Sequence, residues 1–155
     1  MGLFYVTEAD RDPRLPEIAQ PVQMGDALRF LGYSLSPVEA AASAWSIRLH
    51  WQAIDPVAID YTVFVQLLDQ QGRWIAGWDS PPLAGQYPTS RWQPGEVVVD
   101  DFELTFSPPE TLPPGKYRLV TGLYDPVTGQ RLPALDSRGQ PLPDNMIILH
   151  EIEIP

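Results

Sequence analysis

The sequence predicts an all-β fold: a two-sheet antiparallel β-sandwich of about eight strands, immunoglobulin-like or jelly-roll in topology. Three observations carry that expectation. Trp45, Ile47, Leu49, Trp51 and Ala53 alternate with Ser46, Arg48, His50 and Gln52, the period of two that marks a strand with one buried and one wet face. Residues 61–68 (YTVFVQLL) are rich in β-branched and aromatic residues and apolar on both faces, as a central strand is. Similar runs recur between turns rich in proline and glycine, and no segment keeps a helical period for long.

In chain order, residues 1–25 show little periodicity and read as an arm or linker ahead of a sandwich domain at 26–155. Leu3, Phe4, Tyr5 and Val6 offer that arm a short edge strand. Residues 27–35 form the first strand, with Leu28, Phe30 and Gly32 on one side, and 36–43 form a loop. The alternating strand ends at Asp55-Pro56, because proline donates nothing to a ladder and restricts the residue before it. Asp69-Gln70-Gln71-Gly72 reads as a hairpin turn, with Gly72 free to take positive φ. The returning strand, 73–79, is expected to place Trp74, Ala76 and Trp78 on one face. Residues 80–95 (SPPLAGQYPTSRWQPG) hold four prolines. A connection of this length is either a crossover between sheets or a functional surface. Residues 96–106 form a strand bent near Asp100-Asp101, where the alternation changes phase. A proline turn at 107–115 leads to a strand at 116–125 with Tyr117, Leu119, Thr121 and Leu123 inward. Asp125 to Gly129 is a second hairpin turn, 130–135 is short, and 146–154 closes the domain.

Bulk properties exclude several functional classes. The 155 residues suffice for a core without staples. The absence of cysteine removes disulfides, thiolate nucleophiles and zinc–thiolate sites. A net charge of −10 repels phosphate backbones and anionic lipid, so nucleic acid is not an expected partner. No apolar run is long enough to span a bilayer, and the first residues lack the basic-then-apolar pattern of a signal peptide.

Several stretches together resemble a known family. They are Leu31-Gly32-Tyr33, Leu49-His50-Trp51-Gln52-Ala53, residues 60–69 (DYTVFVQLLD), Tyr87-Pro88-Thr89-Ser90-Arg91-Trp92, Pro94-Gly95-Glu96-Val97-Val98 and Pro113-Pro114-Gly115-Lys116-Tyr117-Arg118. A closing signature follows, Gly122-Leu123-Tyr124-Asp125-Pro126 and then Gly129-Gln130-Arg131-Leu132. In this order they are similar to the soluble C-terminal β-sandwich domain of multi-spanning membrane glycosyltransferase-like proteins, of the lipid-linked mannosyltransferase-like kind, from filamentous phototrophic and related bacteria. The resemblance covers residues 20–155. It implies a non-catalytic accessory module, on the outer face of the cytoplasmic membrane or secreted, with a membrane-embedded region of the same parent protein as a partner. The sugar-transfer chemistry would sit in that membrane part, so the resemblance carries no catalytic residue over.

The candidate ligand-binding residues are aromatic and cationic. Tyr87, Arg91 and Trp92 would give a sugar ring an indole face to stack on and a guanidinium to read its hydroxyls; alternatively Trp92 plugs the end of the sandwich while Arg91 pairs with Asp100 or Asp101. Trp74 and Trp78 form a stacking platform if their shared face is exposed and core if it is buried. Asp100 and Asp101, with Glu96 and Glu103, raise a calcium site or a glycosidase pair. Hydrolysis needs two carboxylates facing each other across a cleft, whereas adjacent strand residues point to opposite faces unless the strand bulges. The two histidines, His50 and His150, have no metal-type neighbours at strand spacing, and no GxSxG, GxGxxG or phosphate loop occurs. The chain is therefore expected to be no enzyme and to need no cofactor, with calcium at Asp100 and Asp101 as the alternative. Two functions remain: contact with carbohydrate or glycolipid, or a structural, protein–protein role.

Overall fold

The computed structural model describes residues 14–37, 44–105 and 112–155. They form β1 (Ile18–Met24), β2 (Leu28–Pro37), β3 (Ala44–Ala53), β4 (Thr62–Leu68), β5 (Trp74–Ser80), β6 (Val97–Thr105), β7 (Gly115–Tyr124), β8 (Ala134–Leu135) and β9 (Ile147–Ile154), with short 3₁₀ turns at Pro82–Gly85, Thr89–Arg91 and Pro143–Asn145. A first sheet runs β6-β3-β2-β1-β8 and a second β5-β4-β7-β9, with every pairing antiparallel. The all-β sandwich is as the periodicity predicts.

The core lies between the sheets. Ile47, Leu49, Trp51 and Ala53 of β3 are wholly buried and share one cluster with Val63, Val65, Leu67, Leu119 and Leu123 of the second sheet. The Phe30 and Trp51 rings meet edge to face, 4.9 Å apart. β4 is apolar on both faces because its outer residues Phe64 and Leu68 join Val120 and Met146 in a smaller cluster, with the Arg131 guanidinium 4.3 Å above the Phe64 ring. Both hairpin turns form. Gly72 at φ 80 donates to Asp69 O, and Gly129 at φ 76 donates to Asp125 O.

Four local expectations are corrected. The last residues of the supposed arm form β1 and pair with β2 and β8, while Leu3 to Val6 lie outside the described residues. β2 bulges between Phe30 and Gly32, so Tyr33 rather than Gly32 continues the buried face. β5 carries a bulge opposite Leu67 and Leu68, pairing Ala76 with Leu67 and Trp74 with Leu68. The extra residue, Ile75, inverts the alternation. Trp78 therefore stands beside Val65 on the inner side and Trp74 beside Leu68 on the outer side, and the two tryptophans share no face. β6 has no bend in register: it pairs with β3 without a shift from Val97 to Thr105. The apparent phase change came from Asp100, a carboxylate in the inward row of Val98, Phe102 and Leu104.

Candidate functional site

β5 and β6 are edge strands of different sheets, and the 80–95 connection crosses from one to the other beside them. A cleft of about 400 Å³ opens here, lined by Trp78, Ser80, Ala84, Asp100, Asp101, Phe102, Glu103 and Thr105. Trp78 is 58% exposed. It holds an inward register position at the sheet margin, where no second layer covers its indole. The cleft thus combines an open aromatic face with carboxylates and hydroxyls.

Asp100 is the unusual member. Its side chain is only 3% exposed. Oδ1 accepts the backbone N–H of Leu83 at 3.1 Å, while Oδ2 is buried without a hydrogen-bond partner. Burial raises its pKa from 3.8 to about 6, opposed by the Leu83 hydrogen bond. The chain segment above it is strained: Leu83 and Ala84 take φ of 54° and 55°, the left-handed region that side chains with a Cβ avoid. A buried carboxylate with one oxygen unpartnered, beneath strained backbone, marks a functional-site candidate.

The connection is anchored on the domain by buried side chains. Trp92 is 2% exposed, and its Nε1 donates to the Tyr87 carbonyl at 2.9 Å. The Tyr87 hydroxyl donates to Glu96 Oε1 at 2.5 Å, and that carboxylate raises its pKa. Thr89 is buried and ties the loop to the segment leading into β4, accepting from Tyr61 N at 3.0 Å and donating to Ile59 O. Tyr87 and Trp92 therefore fix the path of the loop, with the indole as its plug. Arg91 is exposed but is not the partner of Asp101, whose carboxylate takes Arg48 Nε and Nη2 at 2.7 and 3.3 Å.

Trp74 is 61% exposed, on the far side of β5 from the cleft. Its Nε1 lies 2.7 Å from where a Cβ on Gly77 would stand, so the glycine gives the indole room to lie against the strand. Asp100 and Asp101 do not converge, since one points inward and the other sits in an exposed ion pair. Among the described residues no three histidines or carboxylates group as metal ligands would. His50 is buried rather than surface, its Nδ1 3.0 Å from Arg14 O, with its pKa lowered chiefly by burial. Of the candidates, Tyr87, Arg91 and Trp92 meet within the loop, and Trp78, Asp100 and Asp101 line the cleft, the two carboxylates from opposite faces of β6. Ser80, Ala84 and Thr105 were missed, because no local signal tells which loop residues face an edge-strand seam.

No protein-family model and no curated protein matches this sequence. Among solved structures, the domain is similar to the C-terminal domain of Wzt, with a TM-score of 0.53 and 18% identity over 96% of this chain and 86% of that one. It is also similar to part of a β-glucuronidase from glycoside hydrolase family 2, with a TM-score of 0.47 and 12% identity over 68% of this chain and 11% of that one. A third likeness is to part of the Bacteroides uniformis β-glucuronidase, with a TM-score of 0.45 and 18% identity over 72% of this chain and 13% of that one. The chain thus spans about a tenth of the length of either glucuronidase. At 18% identity the likeness to the Wzt domain is one of fold.

Proposed function

We propose that this domain is a non-catalytic carbohydrate-contacting module that holds a sugar in the Trp78 cleft. The observation that carries the reading is the open Trp78 indole standing among Ser80, Asp101, Glu103 and Thr105. An aromatic face packs against the C–H side of a pyranose, while carboxylates and hydroxyls accept and donate to its hydroxyl groups. The absence of a catalytic role is supported by the carboxylates themselves. Asp100 and Asp101 project from opposite faces of one strand, whereas hydrolysis needs two carboxyl groups facing each other across the bond. The reading calls on no cofactor. Attachment to a membrane glycosyltransferase-like parent, outside the cytoplasmic membrane, and a glycolipid as the physiological ligand are part of the proposal and rest on the sequence resemblance.

A second reading is favoured by Trp74. A large, mostly exposed aromatic on the outer side of an edge strand also suits a protein partner, as part of a structural or protein–protein module. A broad glycan array probed with the intact chain and with Trp78→Ala and Trp74→Ala separates the two. Saturable binding lost only in Trp78→Ala supports the sugar cleft. Glycan binding indifferent to Trp78, or none across the array, overturns it and leaves the partner-binding role.

A further inference from the structure

The Trp78 cleft does not stop at the margin of β6. Asp101 lines it and also lines a second groove of about 280 Å³, together with Glu17, Ser34, Ser36, Ser46 and Arg48. That groove lies on the outer face of the first sheet. The register sets two parallel rows across it: Ser34, Arg48 and Asp101 in one, Ser36, Ser46 and Glu103 in the next. With neighbouring strands about 4.8 Å apart, each row spans roughly 10 Å from β2 to β6. Arg48 is held by two nitrogens on the Asp101 carboxylate, so donors and acceptors are presented in a fixed plane. The pair stays half open to solvent, with side-chain exposures of 49% and 61%.

We infer that the carbohydrate site is extended and takes a linear, uncharged oligosaccharide, one sugar residue stacking on Trp78 and the chain running over β6 onto Arg48, Asp101 and the serines. The inference rests on the sugar-cleft reading and deepens it. The described lining of the outer groove is wholly polar. Serine, aspartate and glutamate are depleted in protein–protein interfaces, whereas a polyol chain pairs with them along its length. The charge selects the ligand class. Glu17, Asp100, Asp101 and Glu103 line the two grooves, and the cation among the lining residues, Arg48, is already paired with Asp101. Uronates, sulfated sugars and sugar phosphates are repelled by such a field.

The test is calorimetric titration of the intact chain with neutral gluco-, manno- and galacto-oligosaccharides of two to six residues, alongside an oligogalacturonate of matching length. The expected result is an affinity for at least one neutral series that rises tenfold or more from the disaccharide to the hexasaccharide. Arg48→Ala and Ser46→Ile are expected to remove that gain while leaving the shortest ligand's affinity within twofold, and Trp78→Ala to remove both. Urea midpoints of the variants establish that they remain folded, and Arg48→Ala stands alone if the bulky Ser46 variant does not. Binding that is independent of length, or a length gain untouched by Arg48→Ala, overturns the extended site while the cleft reading stands. Equal or tighter binding of the oligogalacturonate overturns the uncharged class. Failure of every oligosaccharide to bind overturns the inference together with the cleft.

Discussion

Asp100 Oδ1 accepts the backbone N–H of Leu83 at 3.1 Å, and Leu83 stands in the left-handed region at φ 54°. A buried carboxylate and a strained peptide thus sit against each other at the cleft. Neither is favourable alone: burial opposes the charge, and a Cβ opposes the backbone conformation. Their contact joins β6 of one sheet to the loop that leaves β5 of the other.

The first consequence is a pH dependence of stability. Burial holds the Asp100 carboxyl at about 6 in the folded chain, above its ordinary 3.8. A raised acid binds its proton more tightly when folded, so its contribution is fully present below pH 4 and is lost as pH rises through 6. By pH 7 the loss is on the order of 3 kcal/mol. Asp100→Asn keeps an acceptor for Leu83 and removes the charge. Urea unfolding at pH 4.5 and pH 7 should show the wild type losing stability relative to the variant as pH rises; the comparison cancels His50, whose burial-lowered pKa acts in the opposite sense in both proteins.

Strain at the loop gives a second test. Ala84 at φ 55° carries a left-handed penalty of about 1–2 kcal/mol, and glycine removes it at an entropic cost of roughly 0.5–1 kcal/mol. Ala84→Gly should therefore stabilise the domain by about 0.5–1 kcal/mol in a thermal melt. A destabilised variant would show that the Ala84 methyl contributes packing that outweighs the strain.

The tryptophans should divide by role. Trp92 is wholly packed and donates to Tyr87 O, so Trp92→Ala should cost roughly 3–5 kcal/mol. Trp78→Ala and Trp74→Ala remove exposed rings and should change stability by no more than about 0.5 kcal/mol. Denaturant midpoints of the three variants decide this. A large loss in Trp78→Ala would place that indole in the core rather than in a site.

Gly77 tests the seat of Trp74. A methyl there meets Trp74 Nε1 at 2.7 Å and Val65 O at 3.0 Å. Gly77→Ala should lift the exposed indole off the strand at a stability change within about 1 kcal/mol, since the ring can move aside. The tryptophan emission of the folded variant would shift, and the shift should be absent in a Trp74→Ala background.

Much of this was legible in the residues because it is local. The alternation from Ile47 to Ala53 reports a strand with one dry face wherever it occurs, since the pleat fixes a period of two. The two-sided run at residues 62–68 reports a central strand, and the Asp69–Gly72 and Asp125–Gly129 turns announce themselves by side-chain capping and glycine. The net charge of −10 set an expectation against polyanionic partners without any structure. The site was not legible in this way. Whether Trp74 and Trp78 share a face depends on one bulge at Ile75, set by pairing with β4, and a single added residue inverts every side chain beyond it. Asp100 and Asp101 read as a bend in the strand because two adjacent charges interrupt the alternation. Asp100 faces inward because β6 keeps its register with β3, and a distant loop supplies the N–H that it accepts. Local periodicity settles which face a residue prefers; pairing across sheets settles which face it gets, and so which tryptophan and which carboxylate share a cleft.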